Sequence, residues 1–235
     1  MCRLFGIIAN KPVDVRFSLI HSSNSMLQES LNNPDGWGIG YYENGKTKVF
    51  KEALPMYFGN WTIVRYIKSR IIISHVRKAV YGNVSLENTQ PFRYDNYIFA
   101  HNGVIDIEPL EELMDPLYLS KVRGDTDSER LFYLIIQYID EERSVVKGIL
   151  KAVKKLEDIG FSSLNFVMSD GKNLYALRYY RDSPRYYSLY VLRRPTPLAY
   201  HSFETKLVIE HKLKEGEKAV LVASEPLTED EAWLK

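Results

Sequence analysis

Cysteine is the scarcest residue of the chain, with one, Cys2, among 235 residues. A single cysteine cannot form an internal disulfide, so the sequence does not belong to the disulfide-stapled class of secreted domains. Long apolar runs are also missing, since no stretch approaches the roughly 20 apolar residues of a membrane-spanning helix. The stretch "LFGIIA" is too short for the core of a signal peptide, and the polar "NKPVDVR" follows it. We therefore expect a cytoplasmic protein with no membrane partner.

The sequence also lacks a strong charge of either sign and the usual motifs of cofactor binding. Lys and Arg number 31 against 30 Asp and Glu, and this balance gives no general attraction to nucleic acid. The five histidines show none of the paired spacing that is typical of metal ligands. No glycine-rich loop precedes a Lys-Ser or Lys-Thr pair, as a phosphate-binding loop requires. We expect neither a metal nor another cofactor.

One segment departs from this charge balance. Residues 178–194, "RYYRDSPRYYSLYVLRR", interleave arginine with tyrosine. Such a pattern can form a stacking platform for single-stranded nucleic acid, or a surface for a protein partner. Because the net charge of the chain is only +1, we favour a hairpin with tyrosines on one face and arginines on the other, and no nucleic-acid partner.

The chain is rich in apolar residues, 45% of the total, and its patterns predict both helices and strands. Strands are predicted at 3–9, 71–77, 96–105, 185–194 and 218–224, and hairpins at 37–53 and 163–180. The hairpin turns are assigned to Asn44-Gly45 and Asp170-Gly171. Helices are predicted at 14–33, 61–70, 125–142 and 144–160, and a loop too polar to bury at 78–95. Since helices and strands do not alternate regularly, we expect an α+β layered fold with mostly antiparallel sheets, built as one domain over residues 1–235.

Cys2 has two interpretations. If Met1 is removed, Cys2 carries a free α-amine whose pKa of about 7.7 to 8.0 suits a general base beside its own thiol. Alternatively, Cys2 is a small apolar residue of the core, since cysteine packs well. From its position alone, the packing interpretation is favoured.

Two further positions carry groups that such a nucleophile needs. In "FAHNGV", the amide of Asn102 and the backbone N–H of Gly103 form a compact pair of donors for an oxyanion, although Asn-Gly is also a common turn. In "ISHVRKAVYG", Arg77 follows an apolar strand and can grip a carboxylate with two N–H groups, although a surface salt bridge is the plainer alternative. We expect His75 to be a buried structural residue without a catalytic role.

The segment "GDTDSE" places acidic residues at the start of a predicted helix. Thr126 and Glu129 fit a capping box, which leaves Asp127 free to bind the ammonium group of an amino-acid substrate. Together, these residues supply a nucleophile, an amine base, an oxyanion pair, a carboxylate clamp and an ammonium clamp. That set predicts an enzyme that hydrolyses the side-chain amide of glutamine.

The order of these motifs resembles the glutaminase domain of class II glutamine amidotransferases, which are N-terminal nucleophile hydrolases. The resemblance rests on Met-Cys at the start, "DGWGIGYY", "HVRKAVYG", "NTQPF", "FAHNGVI" and "GDTDSE", and on the tail "ASEPLTEDEAW". It implies a four-layer αββα sandwich. It also implies that Cys2 is the nucleophile, that Asn102 and Gly103 form the oxyanion hole, and that Arg77 and Asp127 bind the α-carboxylate and the α-amino group.

Two positions depart from the family pattern, and they leave roles unassigned. The stretch "NNPDGWG" replaces an Arg-Gly-x-Asp stretch, so no pocket role is transferred to Asp35. Gln90 stands where histidine is frequent.

The partner and the final substrate stay open at this stage. Since the resemblance covers nearly the whole chain, we expect either a separate synthase subunit that accepts ammonia or hydrolysis of a γ-glutamyl amide other than glutamine. A glutamine sensor without turnover and a homo-oligomer are further alternatives.

Overall fold

The computed structural model describes residues 2–194, 198–201, 208–211, 216 and 218–235. The described strands are β1 Arg3–Val13, β2 Trp37–Glu43, β3 Lys46–Glu52, β4 Ser69–Val76, β5 Phe92–Tyr94, β6 Tyr97–Asn102, β7 Asn165–Ser169, β8 Leu174–Leu177, β9 Tyr190–Arg194, β10 Leu198–His201, β11 Val208–His211 and β12 Ala219–Ala223. The α-helices are α1 Met26–Glu29, α2 Ile107–Glu112, α3 Pro116–Leu119, α4 Asp127–Glu142 and α5 Val145–Leu156. A π-helical segment, Phe17–His21, and two 3₁₀ segments, Met56–Phe58 and Trp61–Tyr66, complete the described elements. None of these helices is both long enough and apolar enough to cross a lipid bilayer.

Two antiparallel sheets pack face to face at the centre of the molecule. The larger sheet has the strand order β3-β2-β4-β1-β12-β9, and the smaller has the order β5-β6-β7-β8. Strands β10 and β11 form a separate antiparallel pair. Side chains from both sheets, among them Leu4, Ile73, Ile98 and Ala100, fill the layer between them. The polar residues of the candidate site lie at one end of this apolar layer.

Helical segments cover the outer face of each sheet. Helices α2, α4 and α5 pack on the smaller sheet around Phe99, Phe132 and Phe166. The π-helical segment, α1 and the 3₁₀ segments pack on the larger sheet around Phe5 and Trp37. Strand β4 is apolar on both faces because both are buried, which explains its continuous run of isoleucines. The predicted α+β, four-layer αββα arrangement with antiparallel sheets is therefore confirmed.

Both predicted hairpins are present. Asn44 and Gly45 have φ values of 51° and 74°, as a two-residue turn between β2 and β3 requires. The turn between β7 and β8 is held by Asp170, whose Oδ1 accepts hydrogen bonds from the N–H groups of Lys172 (2.8 Å) and Asn173 (2.7 Å).

The prediction of one helix over 14–33 is wrong, because residues 22–25, between the two helical pieces, form a turn with extended residues at both ends. Ser22 and Ser25 both have ψ values of 156°, and the Ser25 hydroxyl accepts a hydrogen bond from the Gln28 N–H to begin α1. Ser23 and Asn24 donate to the carbonyls of Leu227 (3.1 Å) and Pro226 (2.7 Å). Contacts with the C-terminal tail thus replace helical hydrogen bonds here.

Three further expectations need correction. Residues 178–194 do not form a hairpin, since only β9 is a strand. Arg178 donates instead to the carbonyls of Tyr187 (3.2 Å) and Pro184 (3.0 Å) and so orders a loop. In the loop 78–95, expected to be too polar to bury, Thr89 and Gln90 are buried. The helix predicted to end at Gly160 ends at Leu156, and the short helices α2 and α3 were not predicted.

Candidate functional site

The five residues that the sequence singles out line one cavity of about 140 Å³. They come from four separate parts of the fold. Cys2 precedes β1, Arg77 follows β4, Asn102 ends β6 and Gly103 follows it, and Asp127 begins α4. The fold thus brings together residues that are up to 125 positions apart, counted from 2 to 127. Other residues of the cavity wall include Lys78, Tyr81, Gln90, His101, Thr126, Ser128 and Tyr186.

The thiol of Cys2 is held by the backbone of one residue. Its Sγ accepts a hydrogen bond from the Lys78 N–H at 3.3 Å and donates to the Lys78 carbonyl at 3.4 Å. Burial raises the pKa of the Cys2 thiol, and the Lys78 hydrogen bond and the Arg77 charge oppose this shift. The thiol is therefore neutral near pH 7 and needs a base to become a nucleophile. Met1, whose removal would free the Cys2 amine, lies outside the described residues.

The Arg77 guanidinium is buried and holds the loop that follows it. Its Nη2 donates to the carbonyls of Tyr81 (2.7 Å) and Gly82 (3.0 Å), and its Nη1 donates to that of Asn83 (3.0 Å). A guanidinium has five hydrogens, so the Nε–H and one hydrogen on Nη1 have no partner among the described residues. These two hydrogens do not lie on one edge of the guanidinium, so the expected two-pronged grip is not open in this arrangement. Arg77 instead shapes the loop and adds positive charge to the cavity.

Asn102 and Gly103 do not form the turn that is the plain alternative for Asn-Gly. Neither residue has a positive φ, in contrast to Asn44 and Gly45. The Asn102 side chain makes no hydrogen bond to another described residue, and its Oδ1 is buried. A Cβ at Gly103 would collide with the Ser163 carbonyl, so only glycine fits there. An amide with no partner among the described residues and a glycine that packs closely on Ser163 thus lie together at the cavity.

Asp127 is buried at the first turn of α4, with both carboxylate oxygens hydrogen-bonded. Oδ2 accepts from the Ile105 N–H and Oδ1 from the Ser128 N–H, each at 2.8 Å. Burial raises the pKa of Asp127, and the hydrogen bonds from Ile105 and Ser128 oppose the shift. The carboxyl group is thereby fixed in position in the cavity wall.

The capping box predicted beside Asp127 is half formed. The Thr126 hydroxyl accepts a hydrogen bond from the Glu129 N–H at 3.2 Å, as expected. Glu129 does not reach back to Thr126. Its Oε2 accepts from the N–H groups of Gly124 (2.7 Å) and Arg123 (3.2 Å) and closes the preceding turn.

His101 is a member of the site that the sequence did not single out. Its Nε2 lies 3.1 Å from the Ser163 carbonyl, which only accepts, so Nε2 carries the hydrogen. Its Nδ1 lies 2.9 Å from the Ser128 hydroxyl, which also lies 3.2 Å from Asp127 Oδ1. Burial lowers the pKa of His101, so its ring is neutral near pH 7. Its place directly before Asn102 was the available signal.

His75 is buried, as expected, but the hydrogen-bonding capacity of its ring is not satisfied. Neither ring nitrogen has a hydrogen-bond partner among the described residues. Burial lowers the pKa of His75 to about 3, and the charge of Arg77 acts in the same direction. His75 is therefore a neutral ring between the two sheets. Among the described residues, no group of three or more His, Cys, Asp or Glu side chains could hold a metal ion.

Comparison with known proteins places the chain in a family. The model of the family "Glutamine amidotransferases class-II" matches residues 1–235. The protein MJ1515 of Methanocaldococcus jannaschii, which is uncharacterized, is 34% identical over 251 residues, and the match covers 99% of this chain and 66% of that protein. A Haemophilus influenzae protein named "Putative glutamine amidotransferase" is 30% identical over 251 residues, and the match covers 100% of this chain and 81% of that protein. A shorter match, 29% identical over 82 residues, covers 34% of this chain and 35% of a γ-glutamyl-hercynylcysteine sulfoxide hydrolase of Mycobacterium tuberculosis.

Solved structures agree with this assignment at the level of the fold. The crystal structure of a predicted glutamine amidotransferase from Pseudomonas aeruginosa superimposes with a TM-score of 0.65 at 24% identity, over 99% of this chain and 93% of that one. Glutamine phosphoribosylpyrophosphate amidotransferase of B. subtilis gives a TM-score of 0.61 at 18% identity, over 100% of this chain and 45% of that one. The expected N-terminal nucleophile hydrolase fold is confirmed.

Proposed function

Because this chain belongs to the class II glutamine amidotransferases, we propose that it hydrolyses the side-chain amide of glutamine, or a related γ-glutamyl amide, through a thioester on Cys2. One observation carries the proposal. Cys2, Arg77, Asn102, Gly103 and Asp127 line a single small cavity, although four separate parts of the fold supply them. We further propose that residues 1–235 act as one glutaminase domain.

In this proposal, the neutral Cys2 thiol gives its proton to the α-amine that removal of Met1 exposes. The sulfur attacks the side-chain carbonyl carbon of glutamine, and the carbonyl oxygen gains the negative charge. Asn102 Nδ2 and the Gly103 N–H then donate to that oxygen. When the tetrahedral intermediate collapses, the C–N bond breaks, and the leaving nitrogen takes the proton from the amine and departs as ammonia. Water attacks the thioester, and glutamate and the free thiol are released.

The clamp residues act on the other end of the substrate. Asp127, fixed by Ile105 and Ser128, offers a buried negative charge to the α-ammonium group. Arg77 offers its free Nε–H and its positive charge to the α-carboxylate, together with the loop that it orders. Neither residue contacts the leaving amine, so both fit glutamine and a longer γ-glutamyl amide equally well.

The test is ammonia release from glutamine by the wild-type protein and by Cys2→Ala and Cys2→Ser variants. We expect Cys2→Ala to abolish release, because no thioester forms without the sulfur. Intact mass spectrometry of the same preparations must show that Met1 is absent from active protein. Ammonia release by Cys2→Ala, or full activity in a preparation that retains Met1, would contradict the mechanism.

A second candidate is a hydrolase of a γ-glutamyl conjugate. It is supported by the local similarity to the mycobacterial γ-glutamyl conjugate hydrolase and by Tyr186, an exposed aromatic ring in the cavity wall. Comparing kcat/KM for glutamine with that for γ-glutamyl peptides distinguishes the two candidates. If glutamine is preferred, a separate synthase subunit is the proposed acceptor of ammonia. If the chain binds glutamine without turnover, it is a sensor.

A further inference from the structure

The side chain of Gln90 bonds to the backbone of His101, the residue directly before Asn102 and Gly103. It does so at the edge of β6, where a neighbouring strand would otherwise pair. Strand β5 pairs with β6 through Phe92 opposite Phe99, and continuing this register by two residues brings Gln90 opposite His101. The side chain of Gln90 makes both bonds that a paired residue would make. Its Oε1 accepts from the His101 N–H at 2.6 Å, and its Nε2 donates to the His101 carbonyl at 3.2 Å. The edge of β6 is thus completed by an amide side chain.

Gln90 and its neighbours pack closely against Gly36, which precedes β2, and Gly38 of β2. A Cβ at Gly36 would come within 2.7 Å of Thr89 Oγ1, and one at Gly38 would collide with the Gln90 carbonyl and lie 2.9 Å from Pro91. The motif "DGWGIG" therefore provides the flat surface on which residues 89–91 pack. Gln90 is also only 3% exposed.

We propose that Gln90 is a positioning residue for the hydrolysis reaction, which fixes Asn102 and Gly103 relative to Cys2 through the main chain of His101. This assignment rests on the proposed function. Oxyanion donors act only when they are aimed at the place where charge develops, so a small movement of their backbone is costly. Without Gln90, the buried N–H and carbonyl of His101 lose their partners, and the segment from His101 to Gly103 moves to satisfy them.

The position of Gln90 indicates which kinetic constant its loss should change. Arg77, which binds the α-carboxylate in the proposed function, stands on another element. Asp127 is joined to His101 through Ser128, but it is also held by the backbone of α4. Loss of Gln90 should therefore lower kcat more than it raises KM. Cys2 is held by Lys78, so its alkylation by iodoacetamide should not change either.

The chain offers a matched control in Gln137. This buried glutamine also braces a backbone, since its Oε1 accepts from the Asp115 N–H at 2.8 Å and its Nε2 donates to the Leu113 carbonyl at 3.4 Å. It lies on α4 outside the cavity wall. A Gln137→Met variant loses the same kind of bonds, so it shows what a merely structural loss does to kcat, KM and thermal unfolding.

The experiment measures kcat and KM for the full chain and for its Gln90→Met, Gln90→Glu and Gln137→Met variants. We expect Gln90→Met to lower kcat between tenfold and a hundredfold, up to the cost of losing one oxyanion donor. Its KM should stay within about threefold and its Cys2 alkylation rate should be that of wild type. A kcat no lower than that of Gln137→Met, or a rise in KM at constant kcat, would overturn the assignment. Wild-type protein that hydrolyses no γ-glutamyl amide would overturn the proposed function and this assignment together.

Gln90→Glu keeps the shape of glutamine and provides a second test, which can still be made if Gln90→Met folds poorly. A protonated carboxyl can both donate to the His101 carbonyl and accept from its N–H, whereas a carboxylate can only accept. The ratio of variant to wild-type kcat should therefore fall between about pH 6 and about pH 9 as the buried carboxyl ionises. Dividing by the wild-type value removes the titration of Cys2, Asp127 and His101. A ratio that does not change with pH would contradict the role of Gln90 as a donor.

Discussion

Burial has the largest effect on the pKa of the Cys2 thiol and raises it above the ordinary value of a cysteine. Since alkylation requires the thiolate, its rate rises about tenfold for each pH unit below the pKa and levels off above it. On protein that retains Met1, we expect the rate with iodoacetamide to keep rising through about pH 9. The urea-unfolded protein should level off near the ordinary pKa of about 8.5. A folded-state plateau below that of the unfolded protein would contradict the direction of the shift.

Asp127 allows a test of the ammonium clamp with a matched substrate. Asp127→Asn removes the negative charge. Its amide NH₂ also replaces one carboxylate oxygen, so it faces the N–H of Ile105 or of Ser128, which that oxygen accepts from in the wild type. We expect KM for glutamine to rise between tenfold and a hundredfold, since a hydrogen bond to a charged group contributes about 1.5 to 3 kcal/mol. Glutaramate, which has the side-chain amide but no α-amino group, serves as the control. A variant that loses as much with glutaramate as with glutamine would place Asp127 elsewhere in the reaction.

At the level of single residues, the sequence predicted which side chains meet but not how each is held. Cys2, Asn102 and Asp127 carry distinctive chemistry in an ordered set of motifs, so their meeting in one cavity was predictable. The bonds of Arg77 to the carbonyls of residues 81–83 depend on the path of a loop, which no local pattern encodes. The same holds for Gln90, whose partner His101 is brought to it only by the pairing of β5 with β6.

At the level of elements, prediction succeeded where local signals agree with the packing. Helix α4 has a cap at Thr126 and a continuous apolar face, and it lies where predicted. Residues 14–33 show similar helical spacing, but Ser23 and Asn24 bond to the tail more than 200 residues away, and the helix breaks. Polar residues of the loop 78–95 are buried because bonds within the loop and to His101 satisfy them, as Thr89 Oγ1 does by donating to the Ser85 carbonyl at 2.7 Å. Specific side-chain hydrogen bonds, which the local apolar pattern does not show, explain both failures.

At the level of the whole molecule, the layer order followed from amphipathic helices and antiparallel hairpins, whereas the strand order did not. The last strand of the chain, β12, lies beside the first, β1, in the middle of the larger sheet. Such a pairing joins residues more than 200 positions apart and leaves no trace in local periodicity. It nevertheless decides the position of Cys2, because β1 is held between β12 and β4.

The C-terminal tail protects the exposed edge of this larger sheet. Leu234 exchanges two backbone hydrogen bonds with Val191 of β9, at 2.7 and 2.9 Å. Glu231 anchors the same tail through a two-pronged ion pair with Arg194, at 2.8 and 2.7 Å, and both side chains are nearly buried, at 10% and 5% exposure. The tail thereby covers part of the edge of β9.

Removing one member of this ion pair should cost more stability than any surface substitution. Glu231→Gln leaves Arg194 as a buried charge without its carboxylate, and we expect the free energy of unfolding to fall by about 3 to 5 kcal/mol. Urea denaturation measures the loss as a lower midpoint at an unchanged slope.

Glu229→Gln, on the exposed part of the same tail, is the control and should change the free energy of unfolding by less than about 0.5 kcal/mol. Replacing both Arg194 and Glu231 with apolar residues should recover most of the loss, because no unpaired charge then stays buried. If Glu231→Gln and Glu229→Gln lower the free energy of unfolding equally, the tail is held by its backbone bonds to β9 alone.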